Sequence, residues 1–522
     1  MIPLSFAQRR LWFLDRFEGP SAIYNIPFLV RLTGKLDVLA LSSALRDVVV
    51  RHESLRTVFV EDADGTPAQR PVPSDELRWE VPVAEVAAGA VPAAVAEAAS
   101  YVFDLRAEIP VRARLLRCGP QEHVLVLIVH HTAADGESMV PLARDLAAAY
   151  TARLDGGDPD WPELEVQYGD YALWQREFLG DENDPESVLS TQLNYWQGEL
   201  AGAPQQTQLP LDRPRPAVAS HRGGMVEFEV DPALTAAVEK LAGDHGVTTP
   251  MVMQSALAVL LHHLGAGDDV AMGSTIAGRN DEALADLVGF FVNTWVLRTD
   301  LSGNPSLAQV LDRVRDKALG AYDNQDAPFE RLVELLNPER STAYHPLFQV
   351  MFTWQDDDTV HLGLPGLDAR LEAVETQFAK FDLEFGFAAD TAGQRMRCVL
   401  EYAADLFDRS TIESMGKRFL SILRQFTADP GLLVGSVDVL VADEVVALAG
   451  FNETAVVGPE LTVPELFGRQ VELSPDAVAV VCGGVELTFA ELDVRVRGLA
   501  GELVRRGVGP ESLVGLALSR SV

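Results

Sequence analysis

The stretch His130-His131-Thr132-Ala133-Ala134-Asp135-Gly136 brings two imidazoles, a carboxylate and a glycine together in one short segment. It follows directly on Val124-Leu125-Val126-Leu127-Ile128-Val129, which reads as a strand buried on both faces, and it precedes a helical pattern. Side chains alternate along extended backbone, so adjacent imidazoles at a strand end point opposite ways. One can face a cavity while the other packs inward and fixes the turn. A neutral imidazole is the side chain best suited to accept or relay a proton near neutral pH. Asp135 can anchor the loop by an ion pair, and Gly136 leaves room for a substrate arm to pass close to the backbone.

A second pair, His262-His263, ends the apolar helical run 251–264 just before Gly265, a helix stop. It lacks the strand-end setting and the Asp-Gly at the same offset, so it reads as structural. Zinc ligands on one element stand three or four residues apart and point the same way, whereas neighbouring residues point apart. No metal site is expected.

The elements that must position His130 and His131 follow from periodicity. Residues 37–52 predict an amphipathic helix capped by Asp37, with Leu41, Leu45 and Val48 on one face. A strand at 57–60 leads into a turn ending at Gly65, and an Ala-rich helix is expected over 84–100. Helices near 138–153 and 168–179 close a first lobe. The Pro- and Gln-rich stretch 200–224 cannot sustain a helix and reads as an ordered crossing. Beyond it, helices near 232–244, 249–264, 305–320 and 328–337 alternate with strands near 270–275, 347–354 and 395–402, an α/β pattern in layers. The expected divisions are an N-terminal lobe over 1–178, a C-terminal lobe over 179–430, a linker over 431–460 and a separate unit over 461–522.

Composition narrows the class. The 522 residues are 48% hydrophobic, enough for sizeable cores, and the net charge of −35 argues against a nucleic-acid partner. Three scattered cysteines (Cys118, Cys398, Cys482) exclude a disulfide scaffold and fit a reducing cytoplasm. Arg9-Arg10 before Leu11-Trp12-Phe13-Leu14 is not a secretory signal, because Asp15, Arg16 and Glu18 interrupt the apolar stretch. No run is long enough to span a membrane, so no membrane partner is expected.

His130 to Gly136 resembles the HHxxxDG signature of the condensation domains of nonribosomal peptide synthetases. Other segments are similar to that family's motifs in the same order: Ser5-Phe6-Ala7-Gln8-Arg9-Arg10-Leu11-Trp12-Phe13-Leu14, 51–59 (RHESLRTVF), 168–174 (YGDYALW), 288–294 (VGFFVNT) and 324–330 (NQDAPFE). The resemblance covers about residues 1–430. It implies two chloramphenicol-acetyltransferase-like lobes in a V-shaped pseudo-dimer around a central tunnel, with a short α/β fragment at the C-terminus. It also implies peptidyl carrier domains, upstream and downstream, whose 4′-phosphopantetheine arms bring an acyl or peptidyl thioester and an aminoacyl amine to His131. No permanently bound cofactor is implied. By this carry-over His131, His130, Asp135 and Gly136 form the catalytic element, and Arg51, Arg56, Trp174, Arg279 and Asn293 line the tunnel or support it.

Leu487-Thr488-Phe489-Ala490-Glu491-Leu492 looks like the opening of an adenylation domain, whose remainder is then a partner. That family's phosphate loop is not found within 461–522, so amino-acid activation is not expected here. The His pair speaks against the cyclising subtype, and the match at 288–294 against an epimerase. The N-terminal motif and Tyr24-Asn25-Ile26-Pro27 look more like the subtype joining two L-residues. A coenzyme A-dependent acyltransferase and a non-catalytic docking or recruitment module of the same fold stay as alternatives.

Overall fold

The computed structural model describes residues 2–339, 341–357, 362–372, 374, 377–390 and 395–522. They fall into two compact units, 1–441 and 442–522.

In the first unit the apolar run 124–129 lies within the strand Glu122–His130. This strand sits in the middle of a five-stranded sheet, between Asn25–Gly34 and Val111–Arg117. Leu125 and Val129 enter one core, with residues of the helices Val38–Arg51 and Met139–Leu154. Val124, Val126 and Ile128 enter another, with residues of the helix Val91–Ala99. A strand with a core on each face has no place for a polar residue, which is why the segment reads as an unbroken apolar run. Asp37 caps the first of these helices, accepting from the N–H groups of Leu39 and Ala40 at 3.0 Å each.

The Ala-rich stretch 84–100 is not one helix. Val83–Glu85 joins the sheet parallel to Val111–Arg117, a short 3₁₀ turn covers Ala88–Ala90, and the α-helix starts at Val91 with Pro92 in its first turn. Gly89 and Pro92 outweigh the alanines, since proline is tolerated only at a helix start.

A second lobe carries a six-stranded sheet, in the order Asn293–Asp300, Asp269–Ile276, Val350–Asp357, Leu383–Asp390, Met396–Ala403 and Gly223–Val230. Against it lies the helix Thr249–Leu261, buried at every position from Met251 to Leu261, as its all-round apolar sequence requires. The strand Leu367–Glu372 leaves this lobe's stretch of sequence and pairs with Asn25–Gly34 at the edge of the first sheet. Arg31 and Glu372 close that edge with a 2.6 Å ion pair.

The interval 431–460 is not a uniform linker. Val434 and Val437 are buried in the second lobe's core, and Ala442–Phe451 forms a helix. The second unit continues with the helix Val463–Leu473, a hairpin of Val478–Cys482 and Val485–Thr488 turned at Gly483-Gly484, and the helix Phe489–Arg505. Both hairpin glycines have positive φ, the turn geometry this loop length favours. The strand expected over 513–518 is not formed, because an extended segment needs a hydrogen-bonding neighbour and no described residue supplies one. Among the described residues no helix is long and apolar enough to cross a membrane.

Candidate active site

His130 ends the central strand, directly opposite Asn25, and His131 begins the loop. His130 is 4% exposed and packs edge-on against Tyr24 and Phe103, on the side of the core that holds Phe103. The Thr132 N–H donates to His130 Nδ1 at 3.3 Å, so that nitrogen is the acceptor and the ring proton sits on Nε2. His131 is oriented differently. Its Nδ1 lies 3.0 Å from the carbonyl of Ala134, which can only accept, so Nδ1 carries the proton and the Nε2 lone pair is left available. Its backbone N–H donates to the Tyr24 carbonyl at 2.8 Å, and its ring rests 4.6 Å from that of Phe290.

Burial drives the pKa of both rings down to about 3, with the Lys380 ammonium adding to the shift. Both are therefore neutral at physiological pH. His131 lies deep among protein atoms yet keeps accessible surface.

Asp135 is fully buried, and its contacts explain how the loop is held. Its Oδ1 accepts from Ser138 N at 3.0 Å and from Arg279 Nη2 at 3.0 Å. Its Oδ2 accepts from Phe291 N at 2.9 Å. Ser138 Oγ in turn accepts from Gly289 N at 3.1 Å and from Arg279 Nη2 at 2.9 Å. Arg279 also donates to the carbonyls of Leu284 and Leu287. The carboxylate thus joins the loop after the His pair to the segment 288–291, which also receives Ser54 Oγ at Val288 O and Tyr168 OH at Phe290 O. Gly289 is required here, since a Cβ would stand 2.2 Å from the Tyr168 ring. Gly136 is exposed, and a Cβ on it would meet Gln355 Nε2 at 2.7 Å.

The structure thus brings His130, His131, Asp135, Gly136 and Arg279 into one neighbourhood. The other expected residues make their contacts elsewhere. Arg51 forms a buried ion pair with Asp145 at 2.8 Å and lies over Trp161. Arg56 donates to the carbonyls of Val50 and Val72 and to Glu53. Asn293 donates to Gln325 O and Ala327 O and accepts from Thr294 N and Phe329 N, pinning the segment 324–329. Trp174 is 47% exposed and stacks on Phe178. With Asn293 it lines a narrow cavity of about 50 Å³.

A far larger cavity, about 930 Å³, is lined by Arg9, Arg10, Trp12, Tyr24, His345 and Lys380 among others. Its wall meets the His pair through Tyr24, whose carbonyl holds His131 N. The sequence reading singled out neither Ser138, Phe290 nor Lys380. Ser138, three residues after Asp135 at a helix start, carried a readable capping signal. Phe290 lies within the motif-like segment 288–294, whereas Lys380 carried no local signal. Among the described residues no group of three His, Cys, Asp or Glu side chains converges to hold a metal ion.

The sequence matches the condensation-domain family over residues 1–448. It is 51% identical, over its full length, to a probable nonribosomal peptide synthetase of Salinispora arenicola, and 48% identical to a dimodular nonribosomal peptide synthase of Bacillus subtilis. The chain spans only 7% and 22% of the length of those relatives. Among solved structures it is similar to the X-domain from teicoplanin biosynthesis, at 36% identity and a TM-score of 0.79, covering 84% of this chain and 98% of that one. A four-domain nonribosomal peptide synthetase bound to AMP and glycine shares the fold at 22% identity and a TM-score of 0.81, over 97% of this chain and 39% of that one. The two-lobed α/β architecture and the extent of the family match lead to one conclusion: this chain belongs to the condensation-domain family.

Proposed function

We propose that this chain forms an amide bond between two carrier-bound substrates, with His131 at the reaction centre. The observation that carries the reading is the state of His131: neutral, fixed by Ala134 through Nδ1, with Nε2 available at a partly exposed position. An upstream acyl or peptidyl thioester is already activated, so no covalent enzyme intermediate is needed. The demands that remain are a neutral amine and close alignment. Holding both reactants in one passage removes roughly 7–11 kcal/mol of bimolecular entropy cost. His131 Nε2 accepts a hydrogen bond from the amine and aligns its lone pair with the thioester carbonyl as the C–N bond forms. With its pKa held near 3, the ring acts by positioning the amine and relaying its proton onward rather than keeping it.

In this reading Asp135 and Arg279 act as positioning residues. Their buried pair, 3.0 Å apart, fixes the loop that presents His131. Arg51, Arg56 and Asn293 support the fold around the site. The substrates arrive on 4′-phosphopantetheine arms of upstream and downstream peptidyl carrier domains, and two L-residues are joined. Residues 461–522 resemble the opening of an adenylation domain. Free thiols at Cys118, Cys398 and Cys482 are in keeping with a cytoplasmic location.

The test is reconstitution with both loaded carriers, comparing wild type with His131→Ala. Amide product is expected to fall by orders of magnitude. Undiminished product would defeat the catalytic reading and favour a recruitment module of the same fold.

A further inference from the structure

An imidazole that offers one nitrogen to an amine must be fixed in its tautomer and in its plane. For His131 the tautomer is set by the Ala134 carbonyl, which accepts from Nδ1 at 3.0 Å. One hydrogen bond leaves the ring free to tilt about that contact, so the plane needs a second support. Phe290 supplies it. Its ring lies on the His131 imidazole, with centroids 4.6 Å apart and planes inclined at 54°. That separation is at the short end of the range such ring pairs favour.

Phe290 is itself gripped by the loop that carries His131. On one side of it Gly289 N donates to Ser138 Oγ at 3.1 Å, and on the other Phe291 N donates to Asp135 Oδ2 at 2.9 Å. The Phe290 carbonyl accepts from Tyr168 OH, and the Val288 carbonyl from Ser54 Oγ at 2.7 Å. The Phe291 ring packs against Tyr168 and Tyr171, with the Arg279 guanidinium 4.2 Å from its centre. Phe291 is buried, whereas Phe290 keeps some accessible surface beside His131. Residues 288–291 belong to neither a helix nor a strand, yet each of the four is anchored from outside. These anchors share one result: Asp135 and Ser138, from the loop after the His pair, hold the backbone from which Phe290 returns onto His131.

We propose that Phe290 is a positioning residue for this site, its ring fixing the plane in which His131 Nε2 meets the incoming amine and covering that imidazole against water. The inference rests on the amide-forming reaction proposed above and adds no chemical step to it, since a phenyl ring neither gives nor takes a proton. An activated thioester leaves alignment as the main demand, and a misplacement of about 1 Å at the guiding group can cost ~10²-fold in rate. The titratable groups whose charge acts on the His131 ring are Lys380 and His130. Phe290 brings no charge, so its removal changes orientation and access to water alone. Water at the ring favours the charged imidazole.

The experiment uses the full chain with both loaded carriers under single-turnover conditions. Phe290→Ala is expected to slow amide formation by up to ~10²-fold with the apparent affinity for either carrier unchanged. Phe290→Leu, which restores bulk without the flat face, is expected to recover part of the rate. Each variant is also made with ¹³C-labelled histidine, and the His131 ring signals are assigned by their loss in His131→Ala. Those signals are expected to move in Phe290→Ala, with a titration midpoint shifted upward toward 6.5, and to return part of the way in Phe290→Leu. A role confined to packing elsewhere would leave them in place. Thermal unfolding is recorded throughout. If Phe290→Ala fails to fold, Phe290→Leu decides, a reduced rate with displaced His131 signals supporting the proposal and a wild-type rate overturning it. A folded Phe290→Ala at wild-type rate, a loss confined to carrier affinity, or a slower rate with the His131 signals unmoved overturns the proposal while leaving the reaction intact, provided His131→Ala is inactive in the same assay. A wild-type chain that makes no amide, or a His131→Ala variant as active as wild type, overturns both.

Discussion

The chain contains the dipeptide His-His twice, and the two copies have little in common beyond their spelling. His130 and His131 end a strand with a core on each face, and burial holds both neutral, with pKa values near 3. His262 and His263 end a helix in a π-type turn closed by Gly265, whose φ is +105°. There His262 leans on the Gly267 carbonyl and lies 3.4 Å from Asp268, which is 62% exposed. His263 binds the Val434 carbonyl and so ties the helix end to the chain's later segment. Strand geometry separates adjacent rings onto two faces and gives each its own surroundings. The turn leaves both rings beside one another, 5.3 Å apart, near the surface. The chemistry available to an imidazole is thus decided by what its backbone element does with it.

The largest test of this contrast is kinetic. His131→Ala is expected to reduce amide formation ~10²–10⁴-fold, while His263→Ala stays close to wild type in the same reconstituted assay. Similar losses from both would abolish the distinction. The next effect is on stability. Asp135→Ala removes the partner of Arg279, which is only 7% exposed, and is expected to destabilise the first unit by about 3–5 kcal/mol in denaturant titration. Asp268→Ala beside the second pair should change stability by no more than about 1 kcal/mol.

Acid titration sharpens the comparison further. The folded pKa of His130 and His131 is depressed from 6.5 to about 3, so below pH 6.5 the unfolded chain binds protons that the folded chain refuses. Stability from these rings is fully present above pH 6.5 and is lost as the pH falls toward 3. A His130→Asn variant should therefore show a flatter stability profile over that window. Over pH 6–9 the amide-forming rate should follow ionisation of the substrate amine, with no inflection from His131. A break near pH 6.5 that disappears in His131→Ala would show that the ring titrates normally and is not buried as described.

The smallest effect concerns the wall that carries Phe290. Gly289→Ala places a methyl group against the Tyr168 ring and should destabilise by about 1–3 kcal/mol through overpacking. Unchanged thermal unfolding would mean that segment 288–291 yields more readily than its hydrogen bonds suggest.

Much of the site was legible because its signals are local. The apolar run 124–129 announces a doubly buried strand, and the position of His130-His131 at its end announces diverging rings. Asp135 was readable as a loop anchor and Arg279 as a brace, but nothing in the sequence pairs residues so far apart. Arg51 illustrates the opposite difficulty. It belongs to a recognisable motif, yet its guanidinium is committed to Asp145 and the Pro162 carbonyl, a buried anchor within the first lobe. The helix expected over 84–100 failed for a local reason, since Gly89 and Pro92 delay its start. The strand expected over 513–518 failed because pairing is not a property of one segment.

Sequence by itself determined the family, the doubly buried strand and the imidazoles at its end, because hydrophobic periodicity and motif order are written in adjacent residues. Tertiary structure alone decided how deeply both rings are buried and which arginine holds Asp135, 144 residues away in the chain. Burial in a low-dielectric interior depends on what packs around a segment, and that sets the protonation state of the rings.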